Sequence, residues 1–155
     1  MKLYLGKAAR LVAAAAVFAG FATIAPPGHS QQMVSINRED SNMRAGPGTQ
    51  FKALWRLIRG YPLRVTGRRG QWFKVRDFEG DEGWVFRPLA GQTPHHIVKA
   101  RGAHLRARPS TRSRVLGQLS YGDVLRTLAK RAGWVKVRHG GGAVGWVARD
   151  LVWGW

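Results

Sequence analysis

The sequence predicts an all-β protein made of two small tandem β-barrels, preceded by a helical signal peptide. Residues 42–89 and 104–151 align without a gap at a spacing of 62 residues, and the matched pairs include four of the seven tryptophans. Within each copy, apolar residues alternate over short stretches bounded by glycine, proline and aspartate, a pattern typical of strands and turns. A long fixed period of this kind indicates two copies of one fold.

The first 25 residues have the order of charge and apolarity found in secretory signal peptides. Three basic residues precede an apolar run over 11–25, and Pro26 then interrupts any helix. The run is shorter than the roughly 20 residues that a membrane span needs. We therefore expect a signal peptide over 1–25, cleaved between residues 22 and 30, and a mature chain that is not transmembrane. An uncleaved anchor is the alternative.

Each copy contains the same series of short predicted strands. Side chains alternate between two faces along a strand, so Phe73 and Val75 are expected to point inward while Trp72, Lys74 and Arg76 point outward. Residues 134–138 repeat this pattern, with valine at both inward positions. The other predicted strands are 41–44, 53–57, 63–67 and 82–86, with counterparts 62 residues later.

A strand series this short encloses only a small core. About five strands in roughly 55 residues favour closing each sheet into a barrel. We expect the first barrel over 33–90, a short linker over 91–96 and the second barrel over 97–155. Trp84 and Trp146 are expected to fill the two cores, with exposed ligand stacking as the alternative.

Two adjacent histidines, His95 and His96, fall in the predicted linker. They lack the i,i+4 helical spacing and the nearby carboxylate of a hydrolytic zinc site. We expect both side chains to be solvent-exposed, with metal ligation as the alternative. No metal or cofactor is predicted.

The chain is strongly basic, with a formal net charge of +18. Residues 31–93 contain 11 basic and 6 acidic residues, whereas residues 94–155 contain 12 and 2, so the second copy is the more positive. A field of this sign attracts anionic polymers of a cell envelope. Alternatively, the scattered arginines are simply solvated surface residues.

Three short motifs recur in the same order in both copies. They are residues 42–49, 72–75 and 83–85 in the first copy, and residues 105–111, 133–137 and 145–147 in the second. Together they resemble the bacterial SH3-like domain over nearly all of the predicted mature chain. The resemblance implies a small exported β-barrel of a kind commonly used to hold wall peptidoglycan or its peptides. The second copy departs at Gly46 and Gly48, which become Arg108 and Ser110, and this leaves the geometry of that turn open.

Catalytic chemistry is not predicted. The chain has no cysteine, which excludes a cysteine nucleophile, disulfides and a lipid-modified cysteine. The densest acidic group is Asp77, Glu79, Asp81 and Glu82. Its spacing does not fit the twelve-residue calcium loop. We expect a polar hairpin tip that pairs with Arg76 or with the more basic second barrel, and calcium binding is the alternative.

The outward face of one strand in each copy is the predicted binding surface. An indole beside two cations can stack on a sugar or peptide while the cations meet carboxylates. The alternative is that each tryptophan caps the core and its cationic neighbours are solvated. Trp55 has no aromatic twin and is added as a groove residue. The candidate ligand-binding residues are Trp55, Trp72, Lys74, Arg76, Trp134, Lys136 and Arg138.

The sequence therefore predicts an exported, non-enzymatic binding module of the periplasm or cell envelope. Its expected partner is cell-wall peptidoglycan or its peptides. Two linked sites would bind one polymer more tightly than either site alone. One alternative is a protein–protein adaptor for an envelope partner. A further alternative is charge-driven binding to anionic envelope polymers, without specific recognition of nucleic acid.

Overall fold

The computed structural model describes residues 31–155, and these fold almost entirely into β-strands. The predicted signal peptide lies outside the described residues. Within residues 31–155, no helix has the length and apolar character needed to cross a bilayer. The strands of the first half are β1 (Met33–Ile36), β2 (Ser41–Arg44), β3 (Ala53–Leu57), β4 (Pro62–Arg69), β5 (Trp72–Arg76), β6 (Glu82–Phe86) and β7 (Ala90–Gly91).

The second half repeats this series. A 3-10 turn precedes the last strand of each half, at Arg87–Leu89 and at Arg149–Leu151. The first sheet has the order β3-β2-β6-β5-β4-β1-β7, and the second follows the same order with the corresponding strands. These strands are β8 (His95–Val98), β9 (Gly102–Arg106), β10 (Val115–Ser120), β11 (Val124–Arg131), β12 (Trp134–Arg138), β13 (Val144–Ala148) and β14 (Val152–Gly154).

Each sheet curls around a core of its own. Leu57 from β3, at one end of the first sheet, shares a buried cluster with Val34 and Ile36 from β1, near the other end. In the second sheet, Leu119 from β10 and Val152 from β14 likewise belong to one cluster. A flat sheet could not bring its two ends together, so the predicted all-β fold of two tandem barrels is confirmed.

The predicted inner and outer faces of the central strands are also confirmed. Phe73, Val75, Val135 and Val137 are buried, while the residues between them are partly exposed. Sequence analysis missed the strands β1 and β8, and the short closing strands β7 and β14. The expected linker 91–96 therefore overlaps strands at both ends.

The two adjacent histidines are not exposed linker residues, and that expectation was wrong. Both belong to β8, which pairs with β11 on one side and β14 on the other. His96 is only 2% exposed, and its Nδ1 lies 2.6 Å from the Thr127 hydroxyl. His95 is half-buried, with its Nδ1 2.9 Å from the Thr93 carbonyl. The sequence did not predict β8 because its first two residues, His95 and His96, are polar and only Ile97 and Val98 are apolar.

The tryptophans of β6 and β13 do not fill the cores, so that expectation was also wrong. Gly83 and Val85 point inward, and alternation therefore turns Trp84 outward. The inward position must be glycine, because a Cβ on Gly83 would lie 2.5 Å from Cγ of Met43. Trp146 is turned outward in the same way, because its neighbours in β13 are also buried.

The loop after the second strand has one geometry in both copies. Backbone hydrogen bonds join Ala45 to Lys52, Gly48 to Gly46, and Phe51 to Gly48. The same three bonds recur 62 residues later. A Cβ on Gly46 would meet the Phe51 ring at 2.5 Å, and the second copy avoids this clash because its matching pair is Arg108 and Ser113. Arg108 in place of Gly46 is therefore compatible with the same loop, because Ser113 replaces Phe51.

We expect Gly145→Ala to destabilise the second barrel by about 1–3 kcal/mol, the usual effect of overpacking a core. The new Cβ would lie 2.7 Å from Cγ of Leu105 and 2.8 Å from the backbone oxygen of Arg106, which cannot move freely. Gly141→Ala is the matched control, because a Cβ there meets nothing within 4 Å. Thermal unfolding of both variants measures the difference. Equal melting temperatures would contradict this packing account.

Candidate functional site

The outward face of β5 and β6 carries an aromatic pair in the first barrel. Trp72 lies directly opposite Phe86 across the two strands, with ring centroids 5.4 Å apart and ring planes tilted by 51°. The two rings form one side of a pocket of about 190 Å³. The other residues that line it are Asp40, Asn42, Arg44, Thr49 and Leu89. The pocket thus combines apolar and aromatic side chains with polar ones, a composition usual in ligand sites.

Arg44 gives this pocket a fixed edge. Its guanidinium donates hydrogen bonds to the backbone carbonyls of Thr49, at 3.1 Å, and Phe51, at 2.8 Å. In the second barrel Arg106 donates to the Ser113 carbonyl at 2.9 Å. Because the contact recurs, the arginine at this position holds the loop in both copies.

The two cations beside Trp72 are occupied by a carboxylate. Arg76 forms an ion pair with Glu82 at 2.5 Å, and Lys74 lies 3.3 Å from the other oxygen of the same carboxylate. Hydrogen bonds from Arg76 and then Lys74 lower the pKa of Glu82 below its usual value. Two cations and one carboxylate leave this cluster of the first barrel with a net charge of +1.

The matching cations of the second barrel have no such partner. Glu82 is replaced by Val144, which lies opposite Arg138 across β12 and β13. Among residues 31–155, no ion pair involves Lys136 or Arg138. Arg138 also faces Arg126 on β11, just as Arg76 faces Arg64 on β4 in the first barrel. Because only the first barrel has the carboxylate, this face of the second barrel is more positive by one charge.

The remaining predicted site residues are separated from the first pocket. Trp134 lies opposite Ala148, so the aromatic pair of the first barrel is not repeated. Trp55 is 54% exposed on β3, at the edge of the first sheet, and does not line the pocket of Trp72. Sequence reasoning missed Phe86, although the register of β5 and β6 would have placed it opposite Trp72.

The acidic hairpin tip is organised by its own backbone. Asp77 is buried, and its Oδ1 accepts hydrogen bonds from the backbone amides of Glu79, at 3.0 Å, and Asp81, at 2.9 Å. Its Oδ2 accepts a bond of 3.3 Å from Tyr61, whose pKa is raised by burial and by this carboxylate. Ligand oxygens of these three acids lie within 4.8 Å of one another, yet Asp77 already has structural partners.

The same tip contacts the second barrel. The Tyr121 hydroxyl donates a hydrogen bond to the Glu79 carboxylate, and its ring lies 5.4 Å from that of Phe78. Elsewhere along this boundary, Nδ1 of His95 lies 3.2 Å from the Ser35 hydroxyl. The expected pairing of the tip thus takes both forms, with Arg76 through Glu82 and with the second barrel through Glu79.

Comparison with known proteins agrees with this geometry. Residues 38–89 match one family described as Bacterial SH3 domain, and residues 101–152 match a second family with the same description. Each matched segment lies within one barrel. The chain therefore contains two bacterial SH3 domains in tandem. The resemblance inferred from the motifs is therefore confirmed.

One curated relative is the Bacillus subtilis protein named "Putative N-acetylmuramoyl-L-alanine amidase YrvJ". It is 22% identical over 153 residues, and the match covers 92% of this chain but 29% of that protein. Similar solved structures include an NlpC/P60 family protein from Bacillus cereus, with 16% identity, a TM-score of 0.39, and coverage of 80% of this chain and 56% of that one. NlpC2 from Trichomonas vaginalis gives 13% identity, a TM-score of 0.36, and coverage of 80% and 48%.

The second SH3 domain contains a buried titratable group in His96. Burial, followed by the charge of Lys130, lowers the pKa of His96 from 6.5 to about 4. The imidazole is therefore neutral in the folded domain at pH 5–7. An unfolded chain binds a proton in this range, so stability is greatest above pH 6.5 and falls as the pH drops toward 4.

We expect the free energy of unfolding to fall by about 2 kcal/mol between pH 8 and pH 5 through His96 alone. His96→Gln removes the titrating ring, so its unfolding curve should depend less on pH across this window. Urea unfolding of both proteins at several pH values measures the difference. An identical pH dependence of the wild type and the variant would contradict the assignment.

Proposed function

We propose that this chain is a non-enzymatic, exported binding module that recognises cell-wall glycopeptide through its two SH3 domains. Family membership supports a small binding domain, and the matched relative carries a cell-wall amidase name. The chain spans 29% of that relative's length. The pocket of Trp72 and Phe86 carries the proposal, as an aromatic wall beside polar groups suits a sugar ring or a peptide side chain.

The two domains would contribute different forces. In the first domain the pocket supplies apolar contact, while Glu82 offsets one of the two neighbouring positive charges. In the second domain Lys136 and Arg138 lack that carboxylate, so they supply charge attraction toward wall carboxylates. Linked sites on one polymer gain effective concentration, which strengthens two individually weak contacts.

A binding role, rather than a catalytic one, fits the side chains present. The chain has no cysteine nucleophile. The most compact acidic cluster of residues 31–155 centres on Asp77, whose carboxylate is engaged by backbone amides and Tyr61. A general base needs a free carboxylate or imidazole within reach of substrate. The carboxylate that lines the pocket, that of Asp40, forms an ion pair with Arg56 at 2.8 Å, and His96 is buried.

We expect Trp72→Ala to reduce retention of the protein on purified sacculi about tenfold at 0.5 M salt, because stacking survives screening and charge attraction does not. Trp134→Ala is the matched control, since the twin residue faces Ala148 and forms no aromatic pair. It should reduce retention by less than about twofold. A co-sedimentation assay with sacculi measures both.

The charge contribution is tested by the double variant Lys136→Ala/Arg138→Ala. Retention should fall at low salt and match the wild type at 0.5 M salt, since the lost attraction is already screened there. Circular dichroism checks that each variant is folded. If wild-type retention disappears entirely at 0.5 M salt, binding is driven by charge alone and the stacking proposal is contradicted.

An adaptor role is the second candidate, and the edge strand β3 favours it. This strand has a partner on one side only and carries exposed Leu54 and Trp55, with exposed Ile58 just beyond its end. An extended peptide could add to such an edge through backbone hydrogen bonds. Trp55→Lys should then abolish co-purification of a defined envelope protein while leaving retention on sacculi unchanged. Unchanged co-purification would remove the adaptor reading.

A further inference from the structure

A larger cleft lies where the last strand of the second domain meets the first domain. Its volume is about 650 Å³, and it is separate from the pocket of Trp72. Arg64 enters it from β4 of the first domain, while the other charged and aromatic side chains come from the second. These are His96, Lys99, Arg149, Asp150, Trp153 and Trp155.

Arg64 joins the two domains at this cleft and retains an unused donor. Its guanidinium carbon lies 5.4 Å from the centre of the Trp153 ring, a cation–π contact across the domain boundary. Its Nε is buried and has no hydrogen-bond partner, and among residues 31–155 it is the one buried side-chain nitrogen or oxygen in that state. Because this Nε is buried, the contact that holds Arg64 at the boundary is the one with Trp153 and not a hydrogen bond from Nε.

The first domain shows that the fold does not require these groups. The positions that match Lys99 and Trp153 are Asn37 and Gly91. There the asparagine covers the glycine, since a Cβ on Gly91 would lie 2.6 Å from Oδ1 of Asn37. In the first domain these two positions contact each other. In the second domain the same two positions, Lys99 and Trp153, line a cleft.

The charges of the cleft select a ligand class. Three cations and one carboxylate give a net charge of +2, and among residues 31–155 Asp150 forms no ion pair within 4 Å. Two partly exposed indoles provide flat apolar faces beside these cations. Guanidinium and ammonium groups bind carboxylates, while indole faces accept the C–H face of a sugar ring.

We infer that this inter-domain cleft is a second binding site, specific for an acidic saccharide. The carboxylate of the sugar contacts Lys99 and Arg149, and the ring stacks on Trp153 or Trp155. Arg64 shares the site through its contact with Trp153, so the site is complete only when the two domains are docked. This inference does not rest on the pocket of Trp72, since none of the cleft residues lines that pocket.

Calorimetric titration of the full chain with tri-galacturonate tests the site, with maltotriose as the neutral ring control. Lys99→Asn, which installs the residue of the first domain, should weaken tri-galacturonate binding about tenfold. Lys52→Asn is the charge-matched control at another exposed lysine and should change the affinity by less than about twofold. Trp153→Ala should also weaken binding about tenfold, as loss of a stacked ring does.

Several outcomes would overturn the site. Equal weakening by the two lysine variants would show attraction by net charge alone. Equal affinity for inorganic phosphate and tri-galacturonate would show that the site binds anions without recognising the sugar ring. If Trp153→Ala does not fold, Lys99→Asn still decides, because that side chain is exposed. The assay uses a soluble acidic trisaccharide and not sacculi. The chain could therefore bind the trisaccharide without being retained on sacculi, or be retained on sacculi without binding the trisaccharide.

Discussion

In each barrel an inward glycine of the sixth strand lies close to the backbone of a neighbouring strand. A Cβ on Gly83 would lie 3.0 Å from the backbone oxygen of Arg44, and a Cβ on Gly145 would lie 2.8 Å from that of Arg106. This contact closes the sheet over its core, since it joins β6 to β2 and β13 to β9. The contact also decides which residues of β6 and β13 point inward. Because the glycine must point inward, the residue that follows it, Trp84 or Trp146, points outward.

Once both barrels share this frame, their surfaces can diverge. The first domain has an aromatic pocket and offsets one of two neighbouring positive charges through Glu82, whereas Val144 at the matching position leaves both charges of the second domain unpaired among residues 31–155. The boundary between the domains is specialised as well, because Lys99 and Trp153 replace Asn37 and Gly91. The fold is duplicated, and the chemistry that it presents differs between the copies.

The sequence was informative where a pattern repeats along the chain, either between the two copies or within one strand. The 62-residue period and the alternation around Val75 and Val137 predicted two β-barrels and the inner face of their central strands. It failed where the deciding contact was distant along the chain. The inward glycine that turns Trp84 outward depends on Met43, about forty residues away, and the burial of His96 depends on strands β11 and β14. Phe86 entered the site only through its register with Trp72.

The division of labour between the two domains is tested most directly by nuclear magnetic resonance of the full chain with a soluble wall glycopeptide. At high salt, the indole N–H resonance of Trp72 should still shift on titration, while signals of Lys136 and Arg138 should lose the shifts that they show at low salt. Equal responses from both domains under both conditions would contradict the account, as would a Trp72 resonance that never moves.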